Sequence, residues 1–158
     1  MVLNTYHYLL ALVLANSGLN GVKIMALITW DKSLSVEIKE FDDQHKQLCD
    51  VINSLNEAMS QGKGKEVLGK IINDLIRYTQ SHFKAEENYF DRFGYPDAEI
   101  HKTEHAMFVR KVSEFREDLL NGKAGLSIKI MFFLSDWLRK HIKGVDKKYI
   151  PFLKEKGL

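Results

Sequence analysis

The chain has 158 residues, 45% of them hydrophobic and 28% charged, with only two prolines. That is the size and balance of one globular domain with a sizeable core, and it excludes the disordered and fibrous classes. A formal net charge of +2, with no Lys/Arg stripe interleaved with aromatics, excludes a nucleic-acid binder. The single cysteine, Cys49, rules out an internal disulfide framework and makes a cytoplasmic location the expectation.

The first stretch, MVLNTYHYLLALVLANSGLNGVKI, has an apolar core from Tyr8 to Ala15. It is far short of the roughly 20 residues that span a bilayer, so no transmembrane segment is expected. It has the length of a signal-peptide apolar region, but no Lys or Arg precedes it. Met25 then opens a conventional start, MALITWDKSLSV. Residues 1–24 read as an extension outside the main domain, which runs over 25–158.

Helical periodicity and glycine punctuation predict four long helices. The first runs from Phe41 to Ser60, with Leu48, Ile52, Leu55 and Met59 on one stripe and Gly62 and Gly64 closing it. The second runs from Lys65 to Phe93 and stops at the GYP turn, where Gly94 and Pro96 forbid continuation. The third runs from Asp97, placed to cap it, to Leu120, and the fourth from Leu126 to Ile142 with Gly144 just beyond. Short connections make consecutive helices antiparallel. The expected fold is all-α, an up-down-up-down four-helix bundle with an N-terminal arm containing Trp30.

Histidines recur on the apolar faces. His101 and His105 are four apart and continue into Phe108 and Val112, so both face inward from the third helix. His82 and Glu86 have the same spacing on the second, following Leu75 and Tyr78 and preceding Tyr89 and Phe93. His45 sits three and seven residues before Leu48 and Ile52, and His141 follows Leu134 and Leu138 by seven and three. A lone inward histidine is ordinarily a satisfied core residue. Five of them with an inward glutamate need partners that histidines cannot give each other, and metal ions satisfy them all together.

Two metal chemistries fit poorly. HKTEH matches the H-x-x-E-H pattern of inverzincin proteases, but a zinc site of that kind leaves His45, His82 and His141 unexplained and turns Glu104 away. A ferritin-like carboxylate centre wants Glu-x-x-His on two helices. The residues three before the inward histidines are Asp42, Thr79, Ala98, Lys102 and Leu138, so that motif is absent.

The pieces WDKSLSVEIKEFDDQH, HFKAEE, GYP, HKTEH and WLRKHIKGVD, in this order, resemble the bacterial hemerythrins, non-haem di-iron oxygen-binding proteins. The resemblance covers residues 28–152 and fills all seven of that family's ligand positions. It implies one iron on His101, His105 and His141, and a second on His45 and His82. Glu86 and Asp146 would bridge the two, together with an oxo or hydroxo group. Two octahedral irons then keep one open position, on the iron with two histidines, where dioxygen would bind. His141 and Asp146 are five apart, so the helix must end or distort near Gly144 for both to reach the metals.

Leu48, Phe83, Trp137, Leu138 and Ile142 lie within a turn of a ligand and are the candidates for an apolar oxygen pocket. Cys49 reads as a small buried hydrophobe rather than a ligand. The implied function is reversible oxygen binding for storage, transport or delivery, with an oxygen-consuming enzyme as the partner and a monomer as the expected state. Catalysis is not expected, since no polar acid or base stands out beside the open position. Sensing would need an output domain for which this chain has no room.

Overall fold

A computed structural model describes residues 26–158; the extension over residues 1–24 lies outside the described residues. Four helical rods form the bundle. They are α1 (Lys39–Ser60); α2 (Gly64–Tyr78) continued by α3 (Lys84–Phe93); α4 (Ala98–Leu120); and α5 (Leu126–Gly144). A short α6 (Tyr149–Glu155) follows, and no strand occurs among the described residues. The rods pack around a square, α1 against α2 and α5, α4 against α2 and α5. This is the up-down-up-down bundle that the short connections require.

The core is the set of predicted stripes meeting at the centre. Leu48, Ile52 and Leu55 from α1, Leu75 from α2, Phe108 from α4 and Leu134 from α5 are all fully buried. Each such side chain contributes about 1.5–3 kcal/mol relative to exposure, so the stripes alone drive the rods together. Gly94 ends α3 with φ 69°, a left-handed conformation that favours glycine, and its N–H reaches Phe90 O at 2.9 Å.

The second rod differs from the uniform helix expected over Lys65–Phe93. Between α2 and α3 lies a π-helical turn, Thr79–Phe83, whose extra residue turns both His82 and Phe83 into the core. Beyond it the buried positions are Glu86 and Phe90, while Tyr89 and Phe93 sit half-buried at the core's edge. Asp97 occupies the N-cap position of α4, yet its side chain makes no capping bond; its backbone carbonyl accepts from His101 N at 3.0 Å. The fourth rod runs two residues past Ile142, to Gly144, and then breaks into a tight 3-10 turn, Asp146–Lys148.

The N-terminal arm is tied down by side chains of α1. Asn53 accepts from Ile28 N at 3.0 Å and donates to Ile28 O at 2.8 Å. Asp42 accepts from Val36 N at 2.7 Å and from Ser35 Oγ at 2.5 Å. These four bonds place Trp30 against His45, with Lys46 over the indole at 5.5 Å.

Candidate metal centre

Every rod contributes donors to one buried point. His45 comes from α1, His82 from the π-turn, Glu86 from α3, His101 and His105 from α4, and His141 from α5. Asp146 opens the 3-10 turn after Gly144, the helix break that its five-residue separation from His141 demands. All seven are at most 2% exposed.

The donors divide into two groups that share Glu86: one with His101, His105 and His141, the other with His45, His82 and Asp146. The carboxylates span both. Glu86 Oε1 lies 3.7 Å from His82 Nε2, while its Oε2 lies 3.3 Å from His101 Nε2 and 3.1 Å from His105 Nε2. Asp146 Oδ2 lies 3.2 Å from His45 Nε2, while its Oδ1 lies 3.3 Å from His101 Nε2 and 3.1 Å from His141 Nε2. Each carboxylate therefore turns one oxygen to each group, as a bridge between two cations would.

The hydrogen bonds behind the imidazoles test whether cations fit. His105 Nδ1 lies 2.9 Å from a Glu87 carboxylate oxygen, which can only accept, so Nδ1 carries the proton. In the neutral ring Nε2 then presents a lone pair to Glu86 Oε2, an arrangement that repels unless a cation lies between. His82 Nδ1 similarly faces Gln44 Oε1 at 2.9 Å, leaving its Nε2 only 3.0 Å from His45 Nε2. The inner nitrogens of His101, His105 and His141, Glu86 Oε2 and both Asp146 oxygens have no hydrogen-bond partner despite being buried. Buried polar atoms left unpaired in this way are costly, and a nitrogen- and oxygen-rich set suits iron among the first-row metals. The residues fit a pair of metal ions.

Charge is unevenly held without them. Burial opposes a proton on His101, but the adjoining Asp146 and Glu86 carboxylates outweigh it and raise its pKa to about 9. Burial dominates at His82 and His141, pushing them down to about 3 and about 4. Asp146 is raised by burial and by Glu86, yet His141, His101 and His45 bring it to about 2.

Aromatic rings hold the imidazoles in place. Phe83 stacks on His105 at 3.8 Å and 4°, Trp137 on His141 at 4.1 Å and 16°, and Tyr78 on His82 at 4.9 Å. Trp30 stacks on His45 at 6.3 Å, and Phe90 lies 4.8 Å from His101. Sequence reasoning singled out Phe83 and Trp137 as oxygen-pocket candidates rather than as ring partners, and passed over Tyr78 and Phe90; the positions of these two, four before His82 and four after Glu86, were the available signal. Tyr149 was also missed, and its hydroxyl donates to Glu86 Oε1 at 2.5 Å. The other pocket candidates distribute as follows. Leu48, Leu138 and Ile142 are buried, and Leu138 also lines a cavity of about 160 Å³ beneath the N-terminal arm. Cys49 is buried and free, with its thiol pushed up to about 11 by that burial. Glu104 belongs to neither donor group.

The hemerythrin HHE cation binding domain matches residues 36–153, a span containing all seven donors. The chain belongs to the hemerythrin family. It is similar to a bacteriohemerythrin of Methylococcus capsulatus, 36% identical over 130 residues, covering 82% of this chain and 98% of that protein. A bacteriohemerythrin of Pseudomonas aeruginosa is 36% identical over 126 residues, covering 80% of this chain and 81% of that one. A crystal structure of wild-type hemerythrin superimposes with a TM-score of 0.72 at 35% identity, covering 80% of this chain and 97% of that one. The hemerythrin family binds oxygen at a di-iron site, and the buried His/Glu/Asp cluster is consistent with such a centre. No helix among the described residues is long and apolar enough to cross a membrane.

Proposed function

We propose that this chain binds dioxygen reversibly at a centre of two iron ions and serves as an oxygen store or as a donor to an oxygen-consuming enzyme. The observation that carries the reading is the inequality of the two donor groups, three histidines against two, with both carboxylates shared between them. His101, His105 and His141 with one oxygen from each carboxylate would hold one iron, and His45 and His82 with the other two oxygens would hold the second. The side with two histidines would then keep one position open to a diatomic ligand, with no neighbouring position for a second substrate. When bound, a ferrous pair would supply the two electrons that dioxygen takes up on binding and returns on release.

The chain's residues favour release over catalysis. Leu48 and Ile142 are buried beside donors and offer no proton, and Trp30 roofs His45. A monomer in the cytoplasm accords with this reading. Purified protein should carry two irons and develop an absorption with oxygen that fades on deoxygenation. One zinc per chain, or steady consumption of oxygen or peroxide, would sink the proposal. Asp146→Ala removes a shared carboxylate and should lower iron content below two per chain; unchanged loading would remove Asp146 from the ligand set.

A further inference from the structure

A groove of about 850 Å³ runs along the seam where the π-turn and α3 face α4. Its lining includes His105, one of the five metal-facing imidazoles, and Phe83, the ring stacked on it at 3.8 Å. Glu87, bonded to His105 Nδ1 at 2.9 Å, has its side chain 34% exposed in the same groove. One side chain therefore separates solvent from a metal-facing ring. At His45 and His141 the neighbouring ring is a tryptophan instead, Trp30 and Trp137.

Four cations line the groove, and two of them are unpaired among the described residues. Lys84, Lys102, Arg110 and Arg116 line it against a single carboxylate, Glu87, which is already engaged by His105. Lys102 pairs with Asp91 and Glu99, and Arg110 with Glu114. Lys84 and Arg116 are exposed and have no acidic partner within ion-pair distance among the described residues. Those two are the charges left free for a partner.

We propose that this groove docks a small, acidic, one-electron carrier protein, and that electrons enter the metal centre there by way of His105. The proposal rests on the di-iron reading above. The shape selects a protein surface over a small anion, since Lys84, Arg110 and Arg116 are exposed long side chains beside an apolar edge of Ile76 and Val109, with Val109 44% exposed. The lining has no exposed aromatic platform on which nucleic-acid bases could stack, and Phe83 is buried against His105. Opposite charge around a shallow apolar strip suits the brief, salt-sensitive encounters of electron carriers, which need speed more than area. The purpose follows from oxygen chemistry: an iron pair that has lost its electrons no longer binds dioxygen. Two successive transfers restore it, each oxidising one reduced carrier by one electron and reducing one ferric ion of the pair to ferrous.

The test uses the iron-loaded full chain in its oxidised form. The probe is a reduced plant-type [2Fe–2S] ferredoxin, an acidic one-electron carrier, and the readout is the stopped-flow rate of re-reduction. The rate should fall about tenfold or more as salt shortens the Debye length from about 30 to about 3 Å. Lys84→Glu with Arg116→Glu should lower it about as much at low salt, while a small uncharged hydroquinone reduces variant and parent equally. Reduced cytochrome c, a basic carrier of higher potential, is the weaker reductant throughout, but its rate should rise from parent to double variant where that of ferredoxin falls. Binding is read separately on zinc-loaded, redox-inert chain, where ferredoxin should perturb amide resonances of α3 and α4 along the groove. Salt-independent rates, equal rates for the double variant, or perturbations confined to another face would overturn the docking site. Failure of the oxygen reading would show instead as an absorption that ignores oxygen, with groove binding intact.

Discussion

Tyr149 and Glu86 are joined by a 2.5 Å hydrogen bond between two fully buried groups, 63 residues apart in sequence. The phenol donates to Glu86 Oε1, the oxygen that faces His82, while Oε2 faces His101 and His105. Burial first, and then the Glu86 and Asp146 charges, push the Tyr149 hydroxyl well above its ordinary range, so it remains a donor. Because Tyr149 lies three residues after Asp146, directly behind its turn, one short segment fixes both carboxylates. The ring also packs against Phe41 at 5.9 Å and Phe90 at 5.4 Å.

Tyr149→Phe keeps that packing and deletes only the hydroxyl. A hydrogen bond to a charged group contributes about 1.5–3 kcal/mol, so the metal-free protein should lose about that much in denaturant unfolding. Iron should also bind less tightly through Glu86. Parent-like stability together with parent-like iron affinity would show that the bond is incidental.

The metal-free protein should be most stable near the ordinary histidine pKa of 6.5. His101 is raised to about 9 by Asp146 and Glu86 against the opposing effect of burial. Its contribution is complete below 6.5 and is lost as pH rises through 9. His82 and His141 are lowered to about 3 and about 4 by burial, so their unfavourable protonation draws stability down as pH falls below 6.5. Asp146, lowered to about 2, adds a further loss as pH falls below 3.8. Loading iron displaces the His101 proton, so the part of the alkaline limb between pH 6.5 and about 9 should disappear and binding at neutral pH should release protons. Melting curves from pH 4 to 10 on both forms, and calorimetry in buffers of different ionisation enthalpy, check this; an alkaline limb of equal size in the loaded form contradicts it.

Much of this arrangement was legible because helices convert spacing into direction. The four-residue separations of His82 from Glu86 and of His101 from His105 place each pair on one face, and the stripes containing His45 and His141 mark their faces as buried. Asp146 could not be read that way. It serves the site only because α5 ends at Gly144 and a tighter turn re-aims the chain, so its place came from the family resemblance and not from periodicity. The π-turn was illegible for a related reason. TQSHF reads as ordinary helix, and only tertiary packing selects the wider turn that brings His82 and Phe83 inward together. Phe90 replaced Tyr89 on the buried stripe as a consequence. Tyr149 depends on both the break after α5 and the fold of the bundle, so no local pattern announces it.

Asn53 offers a test of the arm that leaves the donors untouched. Its amide satisfies both backbone groups of Ile28, and the arm so held carries Trp30 onto His45. Asn53→Ala leaves a part-buried N–H and C=O unpaired, at a cost of about 1–3 kcal/mol, and should free Trp30 to move. The chain has two tryptophans, so in a Trp137→Phe background the emission reports Trp30 alone. Added to that background, Asn53→Ala should shift the emission to the red and make it easier to quench, with iron content held at the level of Trp137→Phe alone. Unshifted emission would mean that the arm is held by Asp42 and does not need Asn53.

The apolar cover proposed for the open position is tested by a pair of leucines on one helix. Leu48 and Leu55 are both fully buried on the inner face of α1, but Leu48 is one turn from His45 and Leu55 is nearly two turns further on. Replacing either with alanine leaves a cavity and should cost about 2–5 kcal/mol, so their stability losses should be similar. The chemical consequences should differ. Space opened beside His45 lies against the two-histidine group, where it would admit water and a proton source next to the open position. Leu48→Ala should then keep two irons yet lose the oxygenated form to the oxidised one much faster than the parent. Space opened at Leu55 is remote from every donor, so Leu55→Ala should lose stability alone. Autoxidation followed by absorption, with melting curves as the control for packing, separates the two. Equal autoxidation in both variants would reduce Leu48 to a core residue and move the oxygen pocket elsewhere.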